Sequence, residues 1–177
     1  RIDNVSNGVI SGTPDGAAVG AAPTNIFYMM EGPKTITGRN FSVSVTAPEI
    51  NATSISAGGS LTCALDNSSG IVKCWGSNTS GRLGLGDTNN RGDSANEMGS
   101  NLGFVDLGTG RTATAISTGS NHTCAILDNA SVKCWGRGRS GGLGIGNTND
   151  MGDAANEMGD NLPIVDLGTG RTATAIS

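Results

Sequence analysis

The sequence predicts an all-β protein composed of β-propeller blades. The segment VDLGTGRTATAIS occurs at 105–117 and again at 165–177, sixty residues later. Short runs of strand-forming residues lie inside this repeat, which is typical of arrays of small sheets. Glycine contributes 29 of the 177 residues, and Gly, Ser, Thr and Asn all disfavour helix interiors. These observations predict two complete four-stranded repeats and a partial or degenerate N-terminal blade, as part of a larger propeller or assembly.

The copies set the predicted domain boundaries. KCWG at 73–76 matches 133–136, and ANEMG at 95–99 matches 155–159. We assign the first repeat to 52–112 and the second to 113–172. Residues 173–177 are then the first strand of a next blade.

Residues 1–51 do not show the repeat. The alternation in FSVSV, residues 41–45, predicts a strand, and IFYMM at 26–30 predicts another. Gly32-Pro33 predicts a turn between them, and residues 11–23 are a predicted loop. We interpret this region as a degenerate or partial blade. A small β-domain joined to the propeller is the alternative.

Each repeat then contains a predicted hairpin. LTCALD and IVKCW flank Asn67-Ser68-Ser69-Gly70 in the first copy, and HTCAILD and SVKCW flank Asn129-Ala130 in the second. The two cysteines of a copy are 11 residues apart in the first and 10 in the second. Both midpoints fall in the turn, where a hairpin absorbs a length difference.

This arrangement places each cysteine pair directly across a hairpin. Opposed Cβ atoms lie about 4.5–5.5 Å apart, close to disulfide range. We predict the bridges Cys63–Cys74 and Cys124–Cys134; two reduced, buried thiols per hairpin are the alternative. Zinc is disfavoured, because the spacing is not CxxC and His122, the single histidine, is Leu61 in the other copy.

The rest of each repeat supplies glycine-spaced and polar segments. GRLGLG at 81–86 and GGLGIG at 141–146 alternate like a strand, and their glycines predict close backbone approach between neighbouring sheets. Residues 87–103 and 147–162 predict long loops. Two further short strands, at 104–107 and 113–117, complete about four per repeat, the number in a propeller blade.

The motif CAILD…VKCWG, followed by SGGLGIGNT, resembles the repeat of the regulator of chromosome condensation family over about 52–177. The resemblance implies four-stranded blades, usually seven to a ring. It is strongest to the cysteine-containing, long-loop version found in secreted or surface proteins of bacteria and protists. The paired cysteines suit an oxidising compartment, and no basic face for chromatin is present. Exchange activity on a small GTPase is therefore not expected, and Asn78, usually polar in the family, is Gly138 in the second copy.

Two blades do not close a ring. A blade buries its faces against its neighbours, so about three or more repeats are needed for independent stability. The chain is therefore expected to be part of a longer polypeptide, to share a ring with other copies, or to stack head to tail into a filament. Its stop at Ser177, after a strand that would open a third blade, favours a longer protein or a strand that completes a neighbouring subunit.

Charge and hydropathy exclude two classes of partner. The net charge of −4 gives no basis for nucleic-acid binding. No run of about 18 apolar residues is present, so no membrane span is predicted.

The polar loops at 87–93 and 147–153 offer the oxygen ligands that calcium prefers, although not at EF-hand spacing. We prefer a solvated loop with Asx turns. If calcium binds, the predicted ligands are Asp87, Asp93, Glu97, Asp153 and Glu157. The tripeptide Arg91-Gly92-Asp93 matches the integrin motif, but Met151 replaces the arginine in the other copy, so adhesion is not predicted.

Seven Asn-X-Ser/Thr sequons are a mild excess over chance, and two lie on predicted hairpin turns, where a glycan fits. They indicate either a glycosylated surface protein or simply a composition rich in Asn, Ser and Thr. The candidates are Asn4, Asn40, Asn51, Asn67, Asn78, Asn121 and Asn129.

Catalysis is not predicted, since no nucleophile–base pair recurs and no phosphate-binding glycine loop is followed by a lysine and a helix. Trp75 and Trp135 are expected to pack in or beside the core, with sugar binding as the alternative.

We predict a non-enzymatic extracellular or cell-surface structural protein that contacts other subunits or further repeats and needs no cofactor. The alternatives are an intracellular propeller of the guanine-nucleotide-exchange type and a lectin-like glycan-binding module.

Overall fold

The structure is a computed structural model that describes residues 4–6, 9–11 and 50–177. The predicted strands at 26–30 and 41–45, the turn at Gly32-Pro33 and residues 12–23 of the loop predicted at 11–23 lie outside these residues, and stay predictions. Ser11 of that loop lies in a strand instead. The chain forms two compact units, Arg1–Thr46 and Ala47–Ser177.

The first unit contains an antiparallel hairpin of β1 (Asn4–Ser6) and β2 (Val9–Ser11), in which Ser6 pairs with Val9. This hairpin was not predicted from the sequence. Positions 7 and 8 are Asn-Gly, which is the strongest short-range hairpin signal when it lies between apolar runs, so the information was present.

The second unit contains two three-stranded antiparallel sheets. The first has the order β3 (Ser54–Gly58), β4 (Leu61–Asp66), β5 (Ile71–Gly76). The second has the order β6 (Ala113–Thr118), β7 (His122–Leu127), β8 (Val132–Gly136). The helical segments in the described part are 3₁₀ turns at Thr79–Gly81, Gly99–Asn101, Arg139–Gly141 and Gly159–Asn161. The predicted all-β class is confirmed, and none of the described helices is long and apolar enough to cross a membrane.

The fourth segment of each repeat differs from a regular strand. It lies beside the third strand, since Val105 N donates to Val72 O at 2.8 Å and Val165 N to Val132 O at 2.8 Å. Pairing stops there because Asp106 Oδ1 accepts the N–H of Gly108 at 2.9 Å, which turns the chain away from the sheet. Each blade therefore has three regular strands and a short fourth segment at its edge.

The glycine-spaced segments are not strands, so this part of the prediction is wrong. Gly81, Gly84 and Gly86 have φ values of +69°, +70° and +74°, in the left-handed region that side chains rarely adopt. A run of such residues bends the chain instead of extending it. The predicted close approach of neighbouring backbones is nevertheless present, as described below.

Both predicted disulfides are present. Cys63 pairs with Cys74 and Cys124 with Cys134 in the strand register, with Cα atoms 4.1 Å apart in each bridge. No cysteine in the described part is free. One hydrophobic cluster runs through both repeats and includes Leu65, Val72, Leu83, Leu107, Leu127, Trp135, Met158 and Leu162. The two blades thus share a core.

Candidate functional site

The contact between the two repeats is built from glycines on one side and a tryptophan on the other. A Cβ at Gly84 would lie 2.7 Å from Trp135 Nε1, and a Cβ at Gly81 would lie 2.2 Å from Asp153 N. No side chain fits at either position, so the glycine segment of repeat 1 lies flat against repeat 2. Trp135 is fully buried there, and its Nε1 has no hydrogen-bond partner among the described residues.

Arg82 bridges the repeats with polar contacts. Its side chain is 7% exposed; Nε donates to Ser77 O at 2.9 Å within repeat 1, and Nη1 donates to Ser120 O of repeat 2 at 2.9 Å. The hydroxyl of Thr123 donates back to Arg82 O at 3.0 Å. These hydrogen bonds therefore satisfy the guanidinium and the two carbonyl oxygens, which the contact between the repeats removes from water.

A second polar bridge lies where 107–109 meets 159–160. Thr109 donates its N–H and its hydroxyl to the carboxylate of Asp160, at 2.8 and 2.6 Å, and these bonds lower the pKa of Asp160 below its ordinary value of 3.8. Lys133 Nζ donates to Leu107 O at 3.0 Å and to Gly159 O at 2.7 Å. Burial lowers the pKa of this lysine, against the opposing effect of Asp160.

The same surfaces recur at the two ends of the pair, where neither of the two described repeats covers them. Aligned copies are 61 residues apart before the hairpin turn and 60 after it. Met98 is 42% exposed, whereas its counterpart Met158 is 9% exposed; Leu167 is 46% exposed and its counterpart Leu107 is 4%. Among the described residues, the other two exposed large apolar side chains are Ile55 and Ile164, which correspond to the half-buried Ile116 and Phe104.

These comparisons define two open faces. The leading face belongs to repeat 1 and comprises Ile55, Trp75 and Met98. Their counterparts in repeat 2 lie on the side of that repeat that contacts repeat 1. The trailing face belongs to repeat 2 and comprises Gly141, Gly144, Gly146 and Leu167. A Cβ at Gly141 or at Gly146 would meet nothing within 4 Å, whereas the matching glycines of repeat 1 lie against repeat 2.

Comparison with known proteins identifies the repeats. The family described as the Regulator of chromosome condensation (RCC1) repeat matches residues 52–82 and 113–141, which hold the disulfide hairpins. The two repeats are of the RCC1 type. The ultraviolet-B receptor UVR8 of Arabidopsis thaliana is 33% identical over 88 residues, which are 50% of this chain. The chain spans 18% of that receptor's length.

Solved structures similar to the chain include two propeller-repeat relatives from human and yeast. Human WBSCR16 has a TM-score of 0.47 and 20% identity, over 67% of this chain and 27% of that one. Prp20p from Saccharomyces cerevisiae, a protein studied for its binding to Gsp1p and histones, has a TM-score of 0.34 and 30% identity. That match covers 48% of this chain and 19% of Prp20p.

The carboxylates predicted as calcium ligands have partners within their own RCC1-type repeat. Glu97 Oε2 accepts the N–H groups of Gly92, Asp93 and Ser94 at 2.8, 3.2 and 3.0 Å. Glu157 Oε2 accepts those of 152–154 at 2.9, 3.0 and 2.9 Å. Each glutamate therefore caps the turn that precedes it. The glutamate occupies the same place in both copies, and this repetition was the available sequence signal for a structural role.

The three predicted aspartates are also engaged or crowded. Asp87 forms an ion pair with Arg91 at 2.7 Å, and Asp93 accepts the amide of Asn90 at 3.0 Å. Burial, with the neighbouring Glu157 carboxylate, raises the pKa of Asp153. In the described part of the chain, no three acidic, histidine or cysteine side chains converge to hold a metal ion. The calcium prediction therefore has no geometric support there.

Among the predicted glycan acceptors, Asn78 lies inside the fold. Its side chain is fully buried; Nδ2 donates to Asp87 O at 2.7 Å and Oδ1 accepts the N–H of Leu83 at 2.9 Å. This asparagine orders the start of the glycine segment. Asn4 lies in β1, Asn40 lies outside the described residues, and the exposed candidates are Asn51, Asn67, Asn121 and Asn129.

Proposed function

We propose that this chain is a non-catalytic assembly module of an extracellular or cell-surface protein, and that its two open faces bind further RCC1-type repeats. The observation that carries the proposal is the set of exposed apolar residues. Met98 and Leu167 are exposed at the positions where Met158 and Leu107 are buried by the neighbouring repeat. An apolar residue that one copy buries between repeats, and the other copy presents to solvent, marks a binding surface.

The two open faces are complementary to each other. Where the repeats meet, Gly84 lies against Trp135 and Met158. The trailing face presents Gly144 in place of Gly84, and the leading face presents Trp75 and Met98 in place of the other two. The occupant that fits each face is therefore another repeat of the same kind, in the same polypeptide or in a second copy of this chain. A heterologous, head-to-tail contact of this type generates a ring or a filament.

The disulfides support the proposed compartment. Two bridges in a unit of this size suit an oxidising environment, because reducing pathways keep cytosolic thiols free. Mass analysis of native material under non-reducing conditions tests this part. A mass with both bridges intact supports the extracellular proposal, and four free thiols would overturn it.

Sedimentation velocity of the 177-residue chain tests the binding faces. The chain is expected to self-associate as its concentration rises, and Met98→Glu or Leu167→Glu is expected to keep it monomeric, because either change puts a charge into an apolar contact. Asn67→Glu is the control, since this residue lies on the exposed turn of a hairpin. A parent chain that stays monomeric, or a charged variant that associates like the parent, would contradict the proposal.

A further inference from the structure

Repeat 2 contains a cavity at a place where repeat 1 holds the side chain of an arginine. It is open to solvent, with a volume of about 260 Å³, and it is lined by the half-buried His122 and the exposed Asn121, Arg137, Arg139, Ser140 and Gly142. Gly142 stands where repeat 1 has Arg82. In repeat 1 the Arg82 side chain lies over Ser77 and contacts its carbonyl.

The absent side chain accounts for the space. The backbone of Gly142, with φ −60° and ψ −19°, matches that of Arg82, with φ −65° and ψ −11°. A Cβ at Gly142 would lie 3.4 Å from Arg139 O and 3.8 Å from Arg137 O, and the latter is the counterpart of the Ser77 O that Arg82 contacts. The glycine is not required by backbone conformation here. It leaves open a space that an ordinary side chain would fill.

Three residues around this space are basic or titratable where repeat 1 has uncharged residues, whereas Asp150, in place of Asn90, adds a negative charge nearby. Arg137, Arg139 and His122 replace the uncharged Ser77, Thr79 and Leu61 of repeat 1. No carboxylate lines the cavity, and among the described residues neither arginine forms an ion pair. The nearby Asp150 accepts the N–H of Gly138 at 2.8 Å. Two arginines without a carboxylate partner thus share a cavity with an imidazole, in a chain whose net charge is −4.

We propose that this cavity binds an oxyanionic group: a carboxylate, a phosphate or a sulfate carried by a ligand. Each guanidinium presents five N–H donors in a planar fork that matches these anions, and it remains charged at all physiological pH values. Asn121 and Ser140 add neutral donors at the rim. The site is specific to repeat 2, because repeat 1 fills the corresponding space with its own cation.

Proton NMR of His122 tests the site directly, since it is the single histidine of the chain and its ring signals are resolved from the rest. Sodium sulfate, sodium phosphate and sodium acetate are titrated separately at fixed pH and ionic strength. At least one anion is expected to shift the His122 signals along a saturating curve. Which of the three saturates first identifies the anion class.

Repeat 1 supplies the matched variants. Arg137→Ser and Arg139→Thr install its residues at exposed positions, and each is expected to weaken binding about tenfold, the loss of one charge-assisted contact. Gly142→Gln is expected to abolish binding by filling the cavity, without a change of charge. Arg171→Ser removes an exposed arginine elsewhere and is expected to bind like the parent. Shifts that stay linear with all three anions, or saturate equally in the variants, would overturn the proposal.

Discussion

Gly81 lies so close to Asp153 that a Cβ on the glycine would come within 2.2 Å of the Asp153 backbone nitrogen. Backbone cannot move aside as a flexible side chain does. The contact joins two RCC1-type repeats, and its counterpart in the second repeat, Gly141, faces open space. Gly81 and Gly141 therefore differ in one respect: both have a positive φ, but only Gly81 is packed against the backbone of another repeat.

Replacing Gly81 with alanine is expected to destabilise the protein more than replacing Gly141 does. Both residues have a positive φ, +69° and +75°, so both variants pay the same left-handed penalty of about 1–2 kcal/mol. Gly81→Ala adds a clash with the neighbouring repeat, which should cost about a further 2 kcal/mol or more. Urea denaturation of the two variants measures the difference. Equal free energies of unfolding would mean that the repeats do not pack as described.

The bond between Thr109 and Asp160 is expected to make stability depend on pH. The hydroxyl and N–H of Thr109 hold the pKa of Asp160 below 3.8. A carboxyl group whose pKa is lowered by folding stabilises the folded state above its unfolded pKa, and this contribution is lost as the pH falls through the folded value. Thr109→Val should raise the pKa of Asp160 toward 3.8 and lower the stability at pH 7.

Carbonyl NMR of Asp160 and urea denaturation at pH 2 to 7 check this expectation. The deficit of Thr109→Val should shrink toward the acid end, where the carboxyl is protonated in both proteins. Thr169→Val is the control, because Thr169 is the exposed counterpart in repeat 2. An unchanged Asp160 titration in Thr109→Val would show that the hydroxyl does not set its pKa.

Sequence patterns predicted the hairpins and both disulfides because these depend on local pairing. The one-residue length difference around Asn129 located the turn, and the observed register places each cysteine opposite its partner. The role of Gly84 was only half predictable. Period-two alternation suggested a strand, but alternation does not report the sign of φ, and the residue has φ +70°. The burial of Asn78 could not be predicted from its sequon, because it depends on a contact with Asp87 that forms only in the fold.

The capping glutamates are expected to order the long loops without calcium. Glu157 Oε2 accepts three successive N–H groups, and such charge-assisted bonds are stronger than neutral ones. Glu157→Ala should therefore cost about 2 kcal/mol and speed amide exchange at 152–154. Hydrogen exchange followed by mass spectrometry measures this. If the loop instead used the glutamate as a calcium ligand, millimolar calcium would protect these amides in the parent and not in the variant.

Each disulfide is expected to contribute to stability independently, because each closes only its own hairpin. In the chain-entropy model, loops of 10 and 11 residues correspond to roughly 2.5–3 kcal/mol per bridge. The double variants Cys63→Ser/Cys74→Ser and Cys124→Ser/Cys134→Ser should each lose about this amount in urea denaturation. Reductant should destabilise each of them further by a similar step, since one bridge remains. A loss well below this range in both double variants, or no further step with reductant, would mean that the hairpins are held by strand pairing and core contacts rather than by the bridges.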